Sequence, residues 1–527
     1  MKKNTKIFIV AATFLYFLEG LWMVYMGDIH TDESWWYYGS ILTANGDFPH
    51  YDFAIHHNGL FYFIYAIPQY FFGSDIIVGR LTSIFFSVLI FYMTMRLSYK
   101  EGGVRALYIT GLLFIINLFA IYRYSVMHYQ VLQTFFLISL VSVFYCNLNK
   151  NVKVISLVLL SICIISVRYP IDYFSILFLS SIIIFIYMNK KDKIAILIIG
   201  LTSLVGLAIA IGPYLLYIPE KYYFNTVWYM FSMQSFKEAF GLTDHLTLIT
   251  NIITRLEWIK MTVTNFFPTL LLFLTVVLTR LYIHLNKKKV DNNYMIFFNY
   301  KYIILTVFII ITIIFYFIPN DSDLPAHTNF VFPIMVFIAS VGLTKILANI
   351  DGKSSFSILT IISTTIVFGL CLLIPVGVHN NFSFTYDKSD INNVMIVANE
   401  IEKHTPLDGA ILSFSPVFIG QANRRLVKGL EMEYASFFPT YNTDKALEYN
   451  LMNLDLLKDN IINKSPTAIV LTEKRFFTNL GYSNMIKPYR QEILSLIEKN
   501  YYLEKIIETP RSIYRGDVYI YLPRNVD

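Results

Sequence analysis

The reading turns on GDIHTDESWWYYGSILTANGDFPHYDF, residues 27–53, which directly follows the apolar run IFIVAATFLYFLEGLWMVYM at 7–26. That run has about the 20 residues needed to cross a bilayer. Lys2, Lys3 and Lys6 precede it. A cleaved signal peptide would have a shorter apolar core and small residues at its cleavage site. Here Trp22, Met23 and Tyr25 occupy that region, so the run reads as a retained first span. Beyond it, DESWWYYGSILTANG carries apolar and aromatic residues at helical spacing and stops on Asn45-Gly46. The spacing predicts a short helix lying in the membrane interface, with Trp35, Trp36, Tyr37 and Tyr38 at headgroup depth. Asp32 and Glu33 would then occupy its first turn, where the helix dipole favours carboxylates. That preference alone is one sufficient account of the two acids.

Composition sets the class. Of 527 residues, 56% are hydrophobic and 15% charged, and the mean hydropathy is +0.53. A soluble domain carries about 25% charged residues, so most of this chain is expected in lipid. Apolar segments of spanning length begin near residues 7, 75, 104, 127, 152, 170, 194, 261, 302, 329 and 355, about eleven in all. Charge becomes ordinary after about residue 380. The expectation is a polytopic α-helical membrane domain over 1–379 and a soluble domain over 380–527. Cys146, Cys163 and Cys371 all fall in apolar stretches, which argues against a disulfide framework or a zinc site. A net charge of +6 fits basic cytoplasmic loops and does not point to nucleic acid.

Lysine and arginine in short loops set the orientation. Arg96, Lys100 and Arg105, then Lys150 and Lys153, then NKKDK at 189–193, NKKK at 286–289, and Lys345 with Lys353 share a side with the N-terminal lysines. The N-terminus is therefore expected in the cytoplasm, and the first loop, about 27–75, outside. An odd number of spans puts the C-terminal domain outside as well; an even number would put it inside. Within that domain INNVMIVANEIEKH and YRQEILSLIEKN read as helices, and GAILSF, TAIVL and DVYIYLP as strands. No P-loop, dinucleotide fingerprint or metal-ligand cluster occurs there. Glu19, inside the first span, pairs with a basic neighbour such as Arg80 or stays protonated, and Asp172 is positioned to pair with Arg168.

The stretch from Thr31 to Leu89 resembles the first external loop of the GT-C glycosyltransferases, in the branch of the protein O-mannosyltransferases and the lipid A aminoarabinose transferases. The resemblance rests on Asp32-Glu33 after the first span, Gly46, Tyr51-Asp52, and Gly73 with Arg80-Leu81 opening the second span. HTNFVFPIMVF at 327–337 resembles a late span of the family, and ANRRLVKGLEME at 422–433 a stretch in its prokaryotic external domains. Family members often carry a basic residue before proline in the first loop, where this chain has HHNGLF and His57. Many carry a second acid after the third span, where this chain offers His128 and Gln130.

The resemblance implies a GT-C-like membrane domain and an inverting transfer of a sugar from a polyprenyl-phosphate donor, on undecaprenyl or dolichyl, to a protein, lipid or glycan acceptor. Asp32 is implied as general base, Glu33 as the residue positioning acceptor or base, and Asp52 and His57 as substrate contacts. The departing phosphate calls for cations at headgroup depth. Arg80, Arg123, Arg168 and His327 all fall at outer span ends in this topology, although Arg123 would also serve as a snorkelling residue. No cofactor is firmly implied; a divalent metal on His30, His56 or His57 is left open, without a recognised spacing behind it. The expected setting is the plasma membrane of a prokaryote, among membrane lipids. The rival reading is a carrier or flippase for lipid-linked saccharides that cleaves no bond.

Overall fold

The structure, a computed structural model, describes residues 2–30, 32–167, 201, 205, 208–209, 211–228, 248–285, 300–317, 324–348, 385–477, 486–509 and 516–524. The first span is α1 (Lys3–Met26), followed by α2 (Glu33–Ala44) and α3 (Leu60–Phe72) in the first loop. Then come α4 (Ile76–Ile115), α5 (Leu118–Ser125), α6 (Tyr129–Tyr145) and α7 (Lys150–Val167). The later bundle helices are α8 (Leu248–Leu285), α9 (Tyr300–Phe317) and α10 (Leu324–Ala348). Among the described residues, four helices are long and apolar enough to cross a membrane, and α5 with α6, bent by 108°, makes a fifth. This is a polytopic helical membrane architecture. The expected spans near 75 and 104 form one continuous stretch broken at Gly103, whose φ of 74° suits only glycine without strain. Those expected near 170, 194 and 355 lie largely outside the described residues, as does the proposed boundary at 379/380.

Hydropathy alone does not tell the outer helices from the central one; packing does. Val10, Phe14, Leu15 and Leu18 of α1 stay exposed, as lipid-facing residues would. By contrast α10 is buried along nearly its whole length between α4 and α8. Small residues permit that approach: a Cβ on Gly342 would come within 2.3 Å of Val276 Cγ1 on α8.

The C-terminal part is an α/β unit. Its elements include α11 (Asp390–His404), β1 (Ala410–Ser413), α12 (Pro416–Gln421), β2 (Arg425–Leu426), helices over Thr443–Glu448 and Leu454–Ile462, β3 (Ala468–Thr472), a helix over Arg490–Asn500, β4 (Tyr501–Ile507) and β5 (Val518–Pro523). The sheet order is β2-β1-β3-β5-β4. β1 pairs in parallel with β2 and β3, while β5 runs antiparallel to β3 and β4. The two helices and three strands read from the sequence are all present.

One apolar core joins this unit to the first loop. Trp35, Trp36, Tyr37, Tyr38 and Ile41 of α2 share it with Val417, Phe418 and Ile419 of α12. Tyr37 donates to Gln421 Oε1 at 3.2 Å, Tyr38 Oη accepts from Leu426 N at 2.7 Å, and Ser34 Oγ accepts from Val417 N at 3.0 Å. The expectation of a lipid-facing α2 is thereby corrected. Its four aromatics are at most 4% exposed, because the C-terminal unit lies on the helix: Gln421 of α12 bonds the Tyr37 phenol and Leu426 of β2 that of Tyr38. The first loop and the C-terminal unit consequently lie on the same side of the bundle.

Candidate active site

Where α1 ends, the chain is held by one buried ion pair. Arg80 projects from the second turn of α4 and is fully buried. Its Nε and Nη2 donate to Glu33 Oε1 and Oε2 at 2.9 and 2.8 Å. Nη1 donates to the carbonyls of Val24 and Gly27 at 2.9 and 2.8 Å, and Nη2 to that of Asp28 at 3.0 Å. All five guanidinium hydrogens are thus used. Glu33, equally buried, also accepts from Met127 N at 2.9 Å and His30 N at 3.2 Å. Bidentate geometry with every remaining group bonded is the condition under which a buried pair repays its desolvation. The knot ties together the end of α1, the start of α2, α4 and the turn between α5 and α6. Glu19, expected as an alternative partner for Arg80, is not bonded to it.

Asp32 stands at the entry of α2, half-buried, and its side chain does not cap the helix. Its N–H donates to His30 Nδ1 at 3.2 Å, which leaves the proton of the neutral ring on Nε2. Burial, and then the charges of Arg123 and Arg80, push His30 well below the usual histidine range, so it stays neutral. Tyr62 of α3 is pushed well above the phenol range by burial and then by the charge of Asp32. The Tyr62 hydroxyl is buried without a hydrogen bond among the described residues.

Beside Asp32 the rings of α2, the first loop and α6 converge on Trp36. His30 stacks on it with ring centroids 5.8 Å apart and planes 4° from parallel, and His128 meets its edge at 4.4 Å. Tyr129 lies 5.4 Å and His57 6.1 Å from Trp36. His128 begins α6, where its Nδ1 accepts from Gln130 N at 3.0 Å, while Arg123 Nη2 comes within 3.1 Å of its Nε2. With Nδ1 accepting, a neutral His128 carries its proton on Nε2, so two donors face each other. Arg123 is 4% exposed. Its Nε, the indole N–H of Trp36 and the side-chain amide of Gln130 make no hydrogen bond among the described residues. Leaving such groups unmade costs about 1–3 kcal/mol each, a cost that a polar ligand bonded to them would offset. Among the described residues no three His, Cys, Asp or Glu side chains converge as a metal site.

No family model and no curated protein matches the sequence. Solved structures do match. The apo structure of ArnT from Cupriavidus metallidurans aligns with a TM-score of 0.58 at 11% identity, over 98% of this chain and 97% of that one. The structure of the same protein bound to undecaprenyl phosphate aligns equally well, at 10% identity, over 99% and 98%. The chain has the ArnT fold. That fold agrees with the resemblance carried by the first loop.

Within this ArnT fold the residues expected to form the site separate into three groups. His57 and Arg123 belong to the cluster around Trp36, which the Asp32 backbone joins through its N–H bond to the His30 ring, and Glu33 with Arg80 forms the adjoining knot. Asp52 is in neither: its Oδ2 accepts from Phe48 N at 2.7 Å and closes a turn of its own loop. Arg168 lies outside the described residues, and His327, on the first turn of α10, has no described side chain. Sequence reasoning missed the roles of Trp36 and Tyr62 and weighed His30 only as a metal ligand. His128 and Gln130 had a signal, since by the first-loop resemblance they stand where many members of the resembled family carry an acid.

Proposed function

We propose that the chain is an inverting glycosyltransferase that moves a sugar from a polyprenyl-phosphate donor to an acceptor hydroxyl or amine, with Asp32 as general base. The observation that carries this reading is that half-buried Asp32 is tied through its N–H to the His30 ring, which stacks on Trp36 in the cluster that also holds His128 and Arg123. The acceptor attacks the anomeric carbon as the bond from that carbon to the phosphate oxygen breaks. The acceptor proton passes to Asp32, and the lipid phosphate leaves with its charge. A single displacement inverts the anomeric centre. Arg123 offers its unspent N–H to the departing phosphate, and an anionic oxygen between Arg123 and His128 would accept from both. His57 lines the sugar side through its ring contacts. Arg80 and Glu33 hold the loop and touch no substrate. Arg168, His327 and Asp52 remain candidates for further donor contacts.

The neighbour bound to undecaprenyl phosphate supports a polyprenyl-phosphate partner, on an undecaprenyl or dolichyl carrier. The N-terminus is then cytoplasmic, and the site and the C-terminal unit share the extracytoplasmic face. The acceptor is a protein, a lipid or a glycan. The test uses reconstituted enzyme and labelled donor, following release of free lipid phosphate. Asp32→Asn should lower transfer by about 10²–10⁴-fold in a folded protein. Unchanged release by that variant removes Asp32 from the reaction, and no release by the wild type leaves a carrier.

A further inference from the structure

We infer that Asp390, at the start of the C-terminal unit, is a positioning residue for Asp32; the inference rests on the role proposed above for Asp32. The segment from Gly27 to Asp32 is pinned at nearly every peptide. Arg80 takes the carbonyls of Gly27 and Asp28, and Tyr122 donates to the Asp28 carbonyl as well, at 3.2 Å. Glu33 takes the N–H of His30, and the His30 ring takes that of Asp32. The N–H of Ile29 donates to Asp390 Oδ2 at 2.9 Å, across 361 residues of sequence. Each other pin comes from the first 128 residues; among the described residues this one alone comes from the C-terminal unit.

Asp390 is built for that reach. It is 1% exposed. It opens α11, whose preceding Ser389 accepts from Asn392 N at 3.2 Å and caps the helix, so the carboxylate need not do so. Through Ile29 it sits one residue from the Asp28 carbonyl that Arg80 holds. Gln421 braces the other side, accepting from Tyr37 Oη at 3.2 Å and Ile76 N at 3.1 Å. A side chain of the water-soluble part thus helps fix where the proposed base stands, three residues from the peptide it holds.

The test has two arms. In steady-state transfer with full-length reconstituted protein, Asp390→Ala should lower kcat at least tenfold with donor KM within threefold. Asp390→Asn keeps an oxygen for the Ile29 N–H and should recover at least half of the wild-type kcat. The second arm needs no activity. Asp32→Cys, made after replacing Cys146, Cys163 and Cys371, is labelled with a polar maleimide. Adding Asp390→Ala should speed labelling at least fivefold, adding Asp390→Asn should not, and a cysteine at Asp408 should label unchanged in both. Labelling unaffected by Asp390→Ala overturns the inference. Faster labelling with wild-type transfer keeps the positioning role and removes Asp32 as base. Should Asp390→Ala fail to fold, Asp390→Ser, too short to reach Ile29, carries the same expectations.

Discussion

Arg80 and Arg123 are both buried cations near the ends of spans, and the sequence reading offers both as phosphate ligands. Their surroundings divide them. Arg80 spends all five N–H groups on Glu33 and on the carbonyls of Val24, Gly27 and Asp28. Arg123 faces a histidine nitrogen and keeps a buried Nε without a hydrogen-bond partner among the described residues. The difference teaches that depth in the membrane does not distinguish a ligand-binding arginine from an architectural one. Counting hydrogen-bond donors does. A guanidinium already saturated by protein oxygens has nothing to offer a phosphate unless it first breaks a bond in low dielectric, where the loss is greatest.

The largest expected effect therefore falls on Arg80. Arg80→Ala strands Glu33 and three carbonyls, and breaking such a pair costs about 3–5 kcal/mol. The variant should show a collapsed melting midpoint in detergent and no transfer. A folded Arg80→Ala protein with raised donor KM alone would break the comparison by making Arg80 a ligand. Next comes Arg123→Ala, expected to lose transfer by about 10²–10³-fold, the usual effect of removing one donor to developing negative charge. Its midpoint should hold within a few degrees, because the removed group was itself incompletely bonded. If the two variants melted alike, the accounting would fail.

Much of the architecture was legible because hydropathy is a local property. The first apolar helix, the helix from Glu33, and the two helices and three strands of the tail each follow from a few consecutive residues. β2 was not legible, having two residues. Nor was β4, whose YYLEKII carries charge in its middle as an exposed edge strand does. The site was half legible. Asp32 and Arg123 could be singled out by type and place, but their environment is a matter of contacts between distant segments. Glu33 meets Arg80 across 47 residues, and no local pattern announces it. The aromatics of α2 carried the wrong signal: Trp and Tyr beside a span look like an interfacial belt whether lipid or α12 covers them.

The same accounting extends to two buried glutamates and gives the smallest effect. Glu33 is met by four donors, two of them from a cation. Glu431, 6% exposed, accepts from Gly429 N at 2.9 Å. Burial first pushes it up to about 7, with its own and the Gly429 backbone N–H groups pulling the other way. A carboxyl raised on folding binds its proton more tightly in the native state. Its stabilisation is complete below the unfolded value near 4.5 and is lost as pH rises through about 7. The whole change is on the order of 3 kcal/mol, at 1.36 kcal/mol per pKa unit. Glu431→Gln stays neutral throughout, so its advantage in melting midpoint over the wild type should grow from pH 4.5 to 7 and then level off. A constant difference across that window would mean that Glu431 ionises in place, and that two backbone N–H groups with Lys428 nearby do the work of a bonded cation.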